Sequence, residues 1–314
     1  MKLSKVIGQK AILEYFLKAL KANRLSHAYV MEGEEGMGKK TLVEAIANYL
    51  LCPEKQGDDI CGKCRACVQF QSGNHPDVIE VTPSKKTGYG VDDIREMVLD
   101  DVNIRPYQSE YKIYLIAQAE TMSVAAQNVL LKTIENPPSY ALFFLMTTNK
   151  ERLLETILSR CVLLRMGRLS PKEMEEFLER RGQAEKRDLI PYAEGNIGKL
   201  LQLTESESFQ EMKKDLENLL EQFVKRQDYD IMNQVGLLEK YEDNLQQALN
   251  ILQILLRERL RKSQFCGMEF QNQPVFTEGN EQRYFKLSQN ILTAKKQLVS
   301  NVNKNLIIWN LFLF

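Results

Sequence analysis

The segment HAYVMEGEEGMGKKT, at residues 27–41, decides the fold of this chain. An apolar strand is predicted to end near Met31, and a helix is predicted to begin at about Lys39. The turn between them contains Gly33, Gly36 and Gly38. Such a turn directs backbone amides at phosphate oxygens, and the helix N-terminus adds partial positive charge. The segment therefore predicts a phosphate-binding loop in which Lys39 reaches the outer phosphates, with a plain glycine-rich connector as the alternative.

Positions that an ATPase of this type needs for magnesium are altered. A Ser or Thr hydroxyl normally follows the loop lysine, but Lys40 stands there, and Thr41 is rotated by ~100° along the helix. The strand that should end in Asp to bind magnesium and activate water runs into Ala117 and Gln118. Glu120, on the following turn, is interpreted as a solvated acid at a helix start. We therefore expect no ATP hydrolysis by this chain, while nucleotide binding by the loop stays open.

Four of the six cysteines are close in sequence, at Cys52, Cys61, Cys64 and Cys67. Four thiolates with Cys-x2-Cys spacing suit tetrahedral Zn²⁺, with Zn–S distances of about 2.3 Å. Because such a site leaves no open coordination position, we predict a structural zinc. An iron–sulfur cluster is one alternative, although ferredoxin-type runs place the fourth cysteine downstream beside a proline. Four unliganded thiols are the other.

Apolar strands alternate with helical segments through the first half of the chain. Strands that are apolar throughout and separated by helices indicate a parallel sheet covered on both faces, and so an α/β fold. The predicted strands are 27–31, 77–81, 111–116, 141–146 and 162–164.

The strand signals fade from Leu169, which divides the chain into three predicted domains. Residues 1–168 form an α/β domain of nucleotide-binding type, with the cysteine module inserted at 52–67. A small helical domain is predicted over 169–205, because Ser170 and Pro171 are typical of a helix start. Leucine stripes at helical spacing predict an all-helical domain over 206–314.

Charge and composition exclude several classes of protein. Lys+Arg and Asp+Glu are both 42, so the formal net charge is zero, which excludes an overall polybasic nucleic-acid binder. No apolar run reaches the ~18 residues needed to cross a bilayer, and no signal peptide is expected at the start, so no membrane partner is predicted. The clustered cysteines are unlike a secreted disulfide framework, which favours the cytoplasm.

The motifs of this chain, taken in order, resemble those of the AAA+ clamp-loader subunits of bacterial replicases. The resemblance covers essentially the whole chain. It is carried by Val6-Ile7-Gly8-Gln9, by Ser26–Val30 with the glycine loop, by the four-cysteine module, by AQNVLLKTIENPP at 126–138, by Thr147-Thr148-Asn149 at the sensor position, and by Ser159-Arg160-Cys161.

This resemblance implies an AAA+ P-loop sheet domain with a zinc insertion, a small helical lid, and an all-α collar through which subunits oligomerise. Arg160, in the Ser-Arg-Cys motif, is implied to be an arginine finger that reaches the γ-phosphate of ATP on a neighbouring subunit. Gly198 stands where active members tend to have Arg. With Gly198 and the altered magnesium positions, the chain resembles the stator subunit, which does not hydrolyse ATP, more than the gamma/tau motor.

The resemblance also implies partners. These are the gamma/tau and delta subunits, the sliding clamp, and primer–template DNA that the assembled ring encloses through backbone phosphates. The chain would then be a component of the DNA polymerase III holoenzyme and is not expected to be catalytic alone. No DNA-contacting residue is assigned.

Other functions remain possible on the sequence. The glycines and Lys39 favour a competent ATPase motor subunit of the clamp loader, whereas Lys40, Ala117 and Gln118 oppose it. A P-loop kinase of small molecules would leave the cysteine module, the Ser-Arg-Cys motif and the long helical C-terminal region without a role.

Overall fold

The computed structural model of this chain describes residues 2–225, 231–265, 278–300 and 302–312. It forms two compact units, of which the first is Met1–Ile190 with Glu194–Lys199, and the second is Pro191–Ala193 with Leu200–Phe314. The predicted lid, 169–205, contributes residues to both units. The division into three domains stays a prediction, and parts of the predicted collar (226–230, 266–277, 301 and 313–314) lie outside the described residues.

A five-stranded sheet forms the centre of the first unit, in the order β2-β3-β4-β1-β5. Every neighbouring pair is parallel, which confirms the predicted α/β fold class. The strands are β1 (Ala28–Glu32), β2 (Val78–Val81), β3 (Lys112–Ile116), β4 (Ala141–Thr147) and β5 (Val162–Arg165). Because parallel strands are joined by crossovers, helices lie on both faces of the sheet.

Helices of the first unit follow the strands in alternation. They are α1 (Lys10–Lys21), α2 (Lys39–Leu51), α3 (Arg65–Gln71), α4 (Val91–Ile94), α5 (Asp100–Val102), α6 (Val124–Glu135), α7 (Glu155–Leu158) and α8 (Pro171–Arg180). Residues 91–102 are continuously helical, because a π-helical segment, Arg95–Leu99, joins α4 to α5. Ser170 caps α8 in a reciprocal pair with Glu173, as its sequence position predicts.

Two apolar layers form because successive strand residues point to opposite faces of the sheet. Tyr29 and Phe144 stack at 5.3 Å on the face covered by α1 and α2. Tyr114 and Phe143 stack at 4.9 Å on the opposite face, with α4 and α6. Because β1, β3 and β4 are parallel, their carboxyl ends lie at the same edge of the sheet. The glycine loop follows β1 at this edge, and Thr147-Thr148-Asn149 lies at the end of β4.

The second unit is helical in the part of the chain that the structure describes. Its helices are α11 (Glu207–Lys225), α12 (Ile231–Glu239), α13 (Leu245–Phe265), α14 (Glu278–Val299) and α15 (Lys304–Phe312), while α9 (Ile190–Ala193) and α10 (Ile197–Glu205) carry residues of both units. The predicted leucine stripes are buried, as Leu216 and Leu220 on α11 and Leu249 and Leu252 on α13 illustrate. Among the described helices, none combines the length and apolar character that a bilayer-crossing segment needs.

Candidate functional site

The structure brings the predicted phosphate-binding residues together between β1 and α2. Gly36 and Gly38 have φ of 80° and 84°, a left-handed conformation that disfavours any side chain, so the loop needs glycine there. Lys39 Nζ donates to the carbonyl oxygens of Gly33 at 2.6 Å and Glu34 at 2.9 Å. Burial lowers the pKa of Lys39. The lysine is thus folded back onto its own loop.

Residues at the start of α10 cover the loop at Gly36. The backbone N–H of Gly198 donates to the Gly36 carbonyl oxygen at 2.8 Å, and Asn196 Nδ2 donates to the Glu35 carbonyl oxygen at 2.7 Å. A Cβ placed on Gly198 would lie 2.5 Å from Gly36 Cα, closer than atoms can approach. A larger residue at position 198 therefore requires the loop and α10 to separate.

Charged residues around the loop are paired with each other. Arg168 binds Glu34 of the loop, with its Nη2 2.7 Å from Glu34 Oε1, and it also lies near Glu194. Lys199, next to Gly198, has its Nζ 3.6 Å from Glu194 Oε2. The loop is consequently linked to the start of the helical region by ion pairs as well as by backbone contacts.

Lys40, at the position of the magnesium-binding hydroxyl, points to the edge of the sheet. Its Nζ lies 2.8 Å from Glu80 Oε2 on β2 and 3.7 Å from Glu44 Oε1 on α2. The hydrogen bond to Glu80 raises the pKa of Lys40. This side chain is therefore used to connect α2 with β2.

The strand end that should carry a metal carboxylate has none, and Glu120, on the following turn, contacts Thr148 beyond the end of β4. Ala117 directly follows β3, and Gln118 adopts a left-handed conformation with φ of 50°. The interpretation of Glu120 as a solvated acid is wrong. Its Oε1 accepts from the N–H and hydroxyl of Thr148, and its buried Oε2 has no hydrogen-bond partner among the described residues.

The environment of Glu120 also has a consequence for its charge. Burial is the largest single effect and favours the neutral carboxyl, but the hydrogen bonds to the carboxylate, led by that from Thr148, together outweigh it, so the pKa of Glu120 lies below its ordinary value. Sequence reasoning missed this contact, although the polar Thr147-Thr148-Asn149 run after an apolar strand was a usable signal, because neighbouring parallel strands end at the same edge.

Arg160 follows α7 and is held by its own chain. Nη2 pairs with Glu135 Oε1, at the end of α6, at 2.9 Å. Nη1 donates to the Thr156 carbonyl oxygen at 2.9 Å and to Ser159 Oγ at 3.3 Å. The side chain nevertheless stays 39% exposed. The guanidinium is thus oriented at the surface by a carboxylate and keeps N–H donors that no described residue accepts.

The cysteines Cys52, Cys61, Cys64 and Cys67 form one cluster whose ligand atoms all lie within 4.8 Å of one another. Cys52 Sγ is 3.8 Å from Cys61 Sγ and 4.0 Å from Cys64 Sγ. Tetrahedral Zn–S bonds of about 2.3 Å place sulfur atoms about 3.8 Å apart, so the spacing fits a single ion. The backbone N–H groups of Lys63 and Cys64 lower the pKa of Cys61 to about 7, which favours the thiolate.

Comparison with known proteins relates this chain to subunits of DNA polymerase III. A family profile described as "DNA polymerase III, delta subunit" matches residues 8–170. Subunit gamma of Buchnera aphidicola subsp. Baizongia pistaciae is 32% identical over 272 residues, covering 83% of this chain and 68% of that protein. Subunit delta' of Escherichia coli is 40% identical over 151 residues, covering 48% of this chain and 45% of that protein.

Other relatives are longer than the aligned region. Subunit tau/gamma of Haemophilus influenzae is 37% identical over 173 residues, which is 55% of this chain but 25% of that protein. The chain therefore spans only part of the length of several relatives. A solved Thermotoga maritima protein, described as related to the DNA polymerase III gamma subunit, is 21% identical with a TM-score of 0.46, covering 95% of this chain and 96% of its own.

Proposed function

Because this chain belongs to the clamp-loader subunit family of DNA polymerase III, we propose that it is the delta prime, or stator, subunit of a bacterial clamp loader. In this proposal it assembles with gamma/tau and delta subunits into a ring that loads the sliding clamp onto primed DNA in the cytoplasm. It hydrolyses no ATP itself and supplies Arg160 to the ATP site of a neighbour.

The observation that carries the stator role is the backbone contact between Gly36 and Gly198. Phosphate binding in such a loop requires its amides to face the ligand, and this contact covers the loop at its central glycine. Lys40 stands in place of a hydroxyl residue and Ala117 in place of a carboxylate residue. Since neither side chain can hold magnesium, both positions also support the stator role. The loop is then a structural remnant that stabilises the first unit.

The proposed role of Arg160 is supported by its exposure and orientation. A finger must reach a phosphate across an interface, so it needs free N–H donors at the surface and a restricted set of conformations. The hydrogen bonds to Glu135 and Thr156 restrict the guanidinium while leaving part of it exposed. On docking, the γ-phosphate of the neighbour's ATP would compete with Glu135 for the same guanidinium.

The collar role is supported by an apolar stripe on α14. Phe285, Leu292 and Val299 are 61%, 47% and 83% exposed and recur every seven residues. This heptad spacing places them on one helix face and is typical of helices that pack against other helices. The buried leucines of α11 and α13 pack within the unit, which leaves the α14 stripe for neighbouring subunits.

We further propose that the four-cysteine cluster holds a structural zinc. All four ligands are thiolates, so no coordination position stays open for water, and zinc would connect the end of α2 to α3. The module would then be held by the metal in place of an apolar core of its own.

Zinc binding predicts about one zinc per chain in protein purified without chelator. Cys67→Ser should reduce the zinc content to near zero, because Cys67 is fully buried in the cluster and serine oxygen is a poor ligand for a soft site. Cys161→Ser, which changes a cysteine outside the cluster, is the matched control and should keep its zinc. The measurement is metal analysis by mass spectrometry. Iron in place of zinc, or no metal, would contradict the assignment.

Reconstitution tests the proposed function as a whole. Mixed with its gamma/tau and delta partners, the chain should form a stable complex whose ATPase is stimulated by primed DNA. The chain alone should show no ATP turnover above background, because its loop is covered and lacks magnesium ligands. Size-exclusion chromatography and a phosphate-release assay measure the two outcomes. Turnover by the chain alone that Lys39→Ala abolishes would instead favour the motor-subunit alternative.

A further inference from the structure

The residues that precede α1 lie against the cysteine module. Residues 3–9, called the strap from this point, begin with a short 3₁₀ helix at Leu3–Lys5 and end where α1 begins. Leu3 is buried in the apolar core that also contains Cys52 and Cys64 of the module. Its burial removes apolar area from water and stabilises this position of the strap. The start of the strap is therefore packed together with the cysteine module.

Asp59, which lies in the cysteine module but is not one of its cysteines, binds this end of the strap. Its Oδ1 accepts the backbone N–H of Leu3 at 3.0 Å, and its Oδ2 accepts the hydroxyl of Ser4 at 2.6 Å. A tight turn fixes the position of Asp59, because Gln56 and Asp59 exchange two backbone hydrogen bonds around Gly57, whose φ is 62°. Hydrogen bonds to a charged acceptor are stronger than those between neutral groups, so Asp59 holds the strap firmly.

The other end of the strap is bound to the linker, residues 166–170, which joins β5 to α8. Gln9 Nε2 donates to the Gly167 carbonyl oxygen at 2.6 Å, and Gln9 Oε1 accepts the Gly167 N–H at 3.1 Å. Arg180, on α8, donates from Nη1 to the carbonyl oxygen of Lys5 at 3.0 Å. The strap thus connects the cysteine module with the linker and with the helix that follows it.

The conformation of the strap depends on these contacts. Gly8 and Gln9 both adopt a left-handed conformation, with φ of 69° and 55°. This conformation is unfavourable for a residue with a side chain, such as Gln9, so it persists only where surrounding contacts hold it. A Cβ placed on Gly8 would lie 2.2 Å from Leu169 Cδ2, which shows how closely the strap approaches the linker. Loss of contacts at one end therefore favours release of the strap from the other end as well.

We propose that the strap couples the cysteine module to the linker, with Asp59 as the positioning residue. While the module is ordered, Asp59 keeps the strap in place, and Gln9 in turn holds Gly167. Arg168, the next residue of the linker, pairs with Glu34 of the glycine loop, so the coupling extends from the cysteines to that loop. This role of the cysteine module goes beyond the clamp-loader function proposed above and does not depend on it.

Amide hydrogen exchange of the full chain, followed at single residues by NMR, tests the coupling. The amide of Leu3 is bound by Asp59, and the amide of Gly167 is bound by the far end of the strap. In Asp59→Ala, we expect exchange at Leu3 to be about tenfold faster, because a hydrogen bond to a charged group is lost. Exchange at Gly167 should be about threefold faster or more, because release of the strap removes its acceptor.

Asp58→Ala is the matched control for Asp59→Ala. Asp58 is the adjacent residue, but it pairs with Lys21 on α1 in an exposed ion pair, so its loss should leave both amides unchanged. Ser4→Ala removes one of the two contacts of Asp59 without altering the module and should act in the same direction as Asp59→Ala. A response confined to Leu3, with Gly167 exchanging alike in Asp59→Ala and Asp58→Ala, would mean that Asp59 acts only locally and would overturn the proposal.

The reverse experiment starts from the far end of the strap. Gln9→Ala removes both hydrogen bonds to Gly167. Because coupling between two sites is reciprocal, it should also accelerate exchange at Leu3 by about threefold. Unchanged exchange at Leu3 in Gln9→Ala would contradict the coupling.

Metal removal perturbs the module itself, and this experiment rests on the zinc proposed above. Chelation should speed exchange at Gly167 about threefold in the unmodified chain, but it should add little in Asp59→Ala, where the link is already lost. An equal increase in both proteins would show that the module acts on the linker by another route, and the strap would not be the coupling element. A chain without metal would refute the zinc assignment alone, because the Asp59 and Gln9 variants test the strap without it.

Discussion

Arg160→Ala is expected to lower ATP hydrolysis at the neighbouring subunit's site by about 10³-fold or more in the reconstituted complex. An arginine finger stabilises charge that develops on the transferring phosphoryl group, and the alanine methyl group offers no hydrogen-bond donor or charge in its place. In the proposed ring, other ATP sites keep their own fingers, so we expect total ATPase to fall only in part. Clamp loading onto primed DNA, which needs the whole ring, is therefore the sensitive measurement.

Variants at nearby positions separate a catalytic effect from a structural one. Arg160→Lys keeps the charge but loses the planar fork of donors, so it should restore little activity. Arg165→Ala, on β5, removes an exposed arginine that pairs with Glu32 and should leave clamp loading unchanged. All three variants should assemble into the complex, as judged by size-exclusion chromatography. Normal clamp loading by an assembled Arg160→Ala complex would refute the proposed finger.

Lys112→Ala is expected to lower the free energy of unfolding by about 3–5 kcal/mol. The Lys112 side chain is 1% exposed, and its Nζ lies 2.7 Å from Asp101 Oδ1. Nζ also donates to the carbonyl oxygens of Asp101 at 3.0 Å and Ile104 at 3.2 Å. Among the described residues, truncation leaves the Tyr114 hydroxyl, 2.8 Å from Oδ2, as the remaining side-chain donor to the Asp101 carboxylate, which is 30% exposed.

Urea unfolding followed by far-ultraviolet circular dichroism measures this loss. Lys18→Ala is the control, since Lys18 is 80% exposed and its Nζ lies 3.8 Å from Glu14 Oε2. Exposed pairs of this kind contribute less than about 1 kcal/mol. Similar losses for the two variants would show that the buried network around Lys112 does not stabilise the sheet.

The strands could be predicted from sequence because each one is a short apolar run bounded by helical segments. β4, for example, is the run Ala141–Thr147, and every residue in it is buried. Periodicity could not tell which neighbour packs on which face, because a run that is apolar throughout has no polar side. Only the packed sheet shows that Phe143 meets Tyr114 while Phe144 meets Tyr29.

The candidate site was predictable where it depends on local pattern and unpredictable where it depends on distant partners. The glycines of the loop are required by a local backbone conformation, and the cysteines are close in sequence, so both sets were found. Glu120 was misjudged because its partner Thr148 follows β4, a different strand from the one that precedes Glu120. The partner of Lys40 on β2 was missed for the same reason.

Local sequence therefore established the order of strands and helices, the glycine loop, the altered magnesium positions and the cysteine quartet, since each depends on residues near one another in the chain. The folded chain alone decided that α10 covers the loop, where Asn196 donates to Glu35 across 161 positions. It likewise decided that Glu135 holds Arg160 and that Asp59 binds the strap at Leu3. Such contacts depend on how intervening segments pack, and packing of that kind has no signature in a short window of sequence.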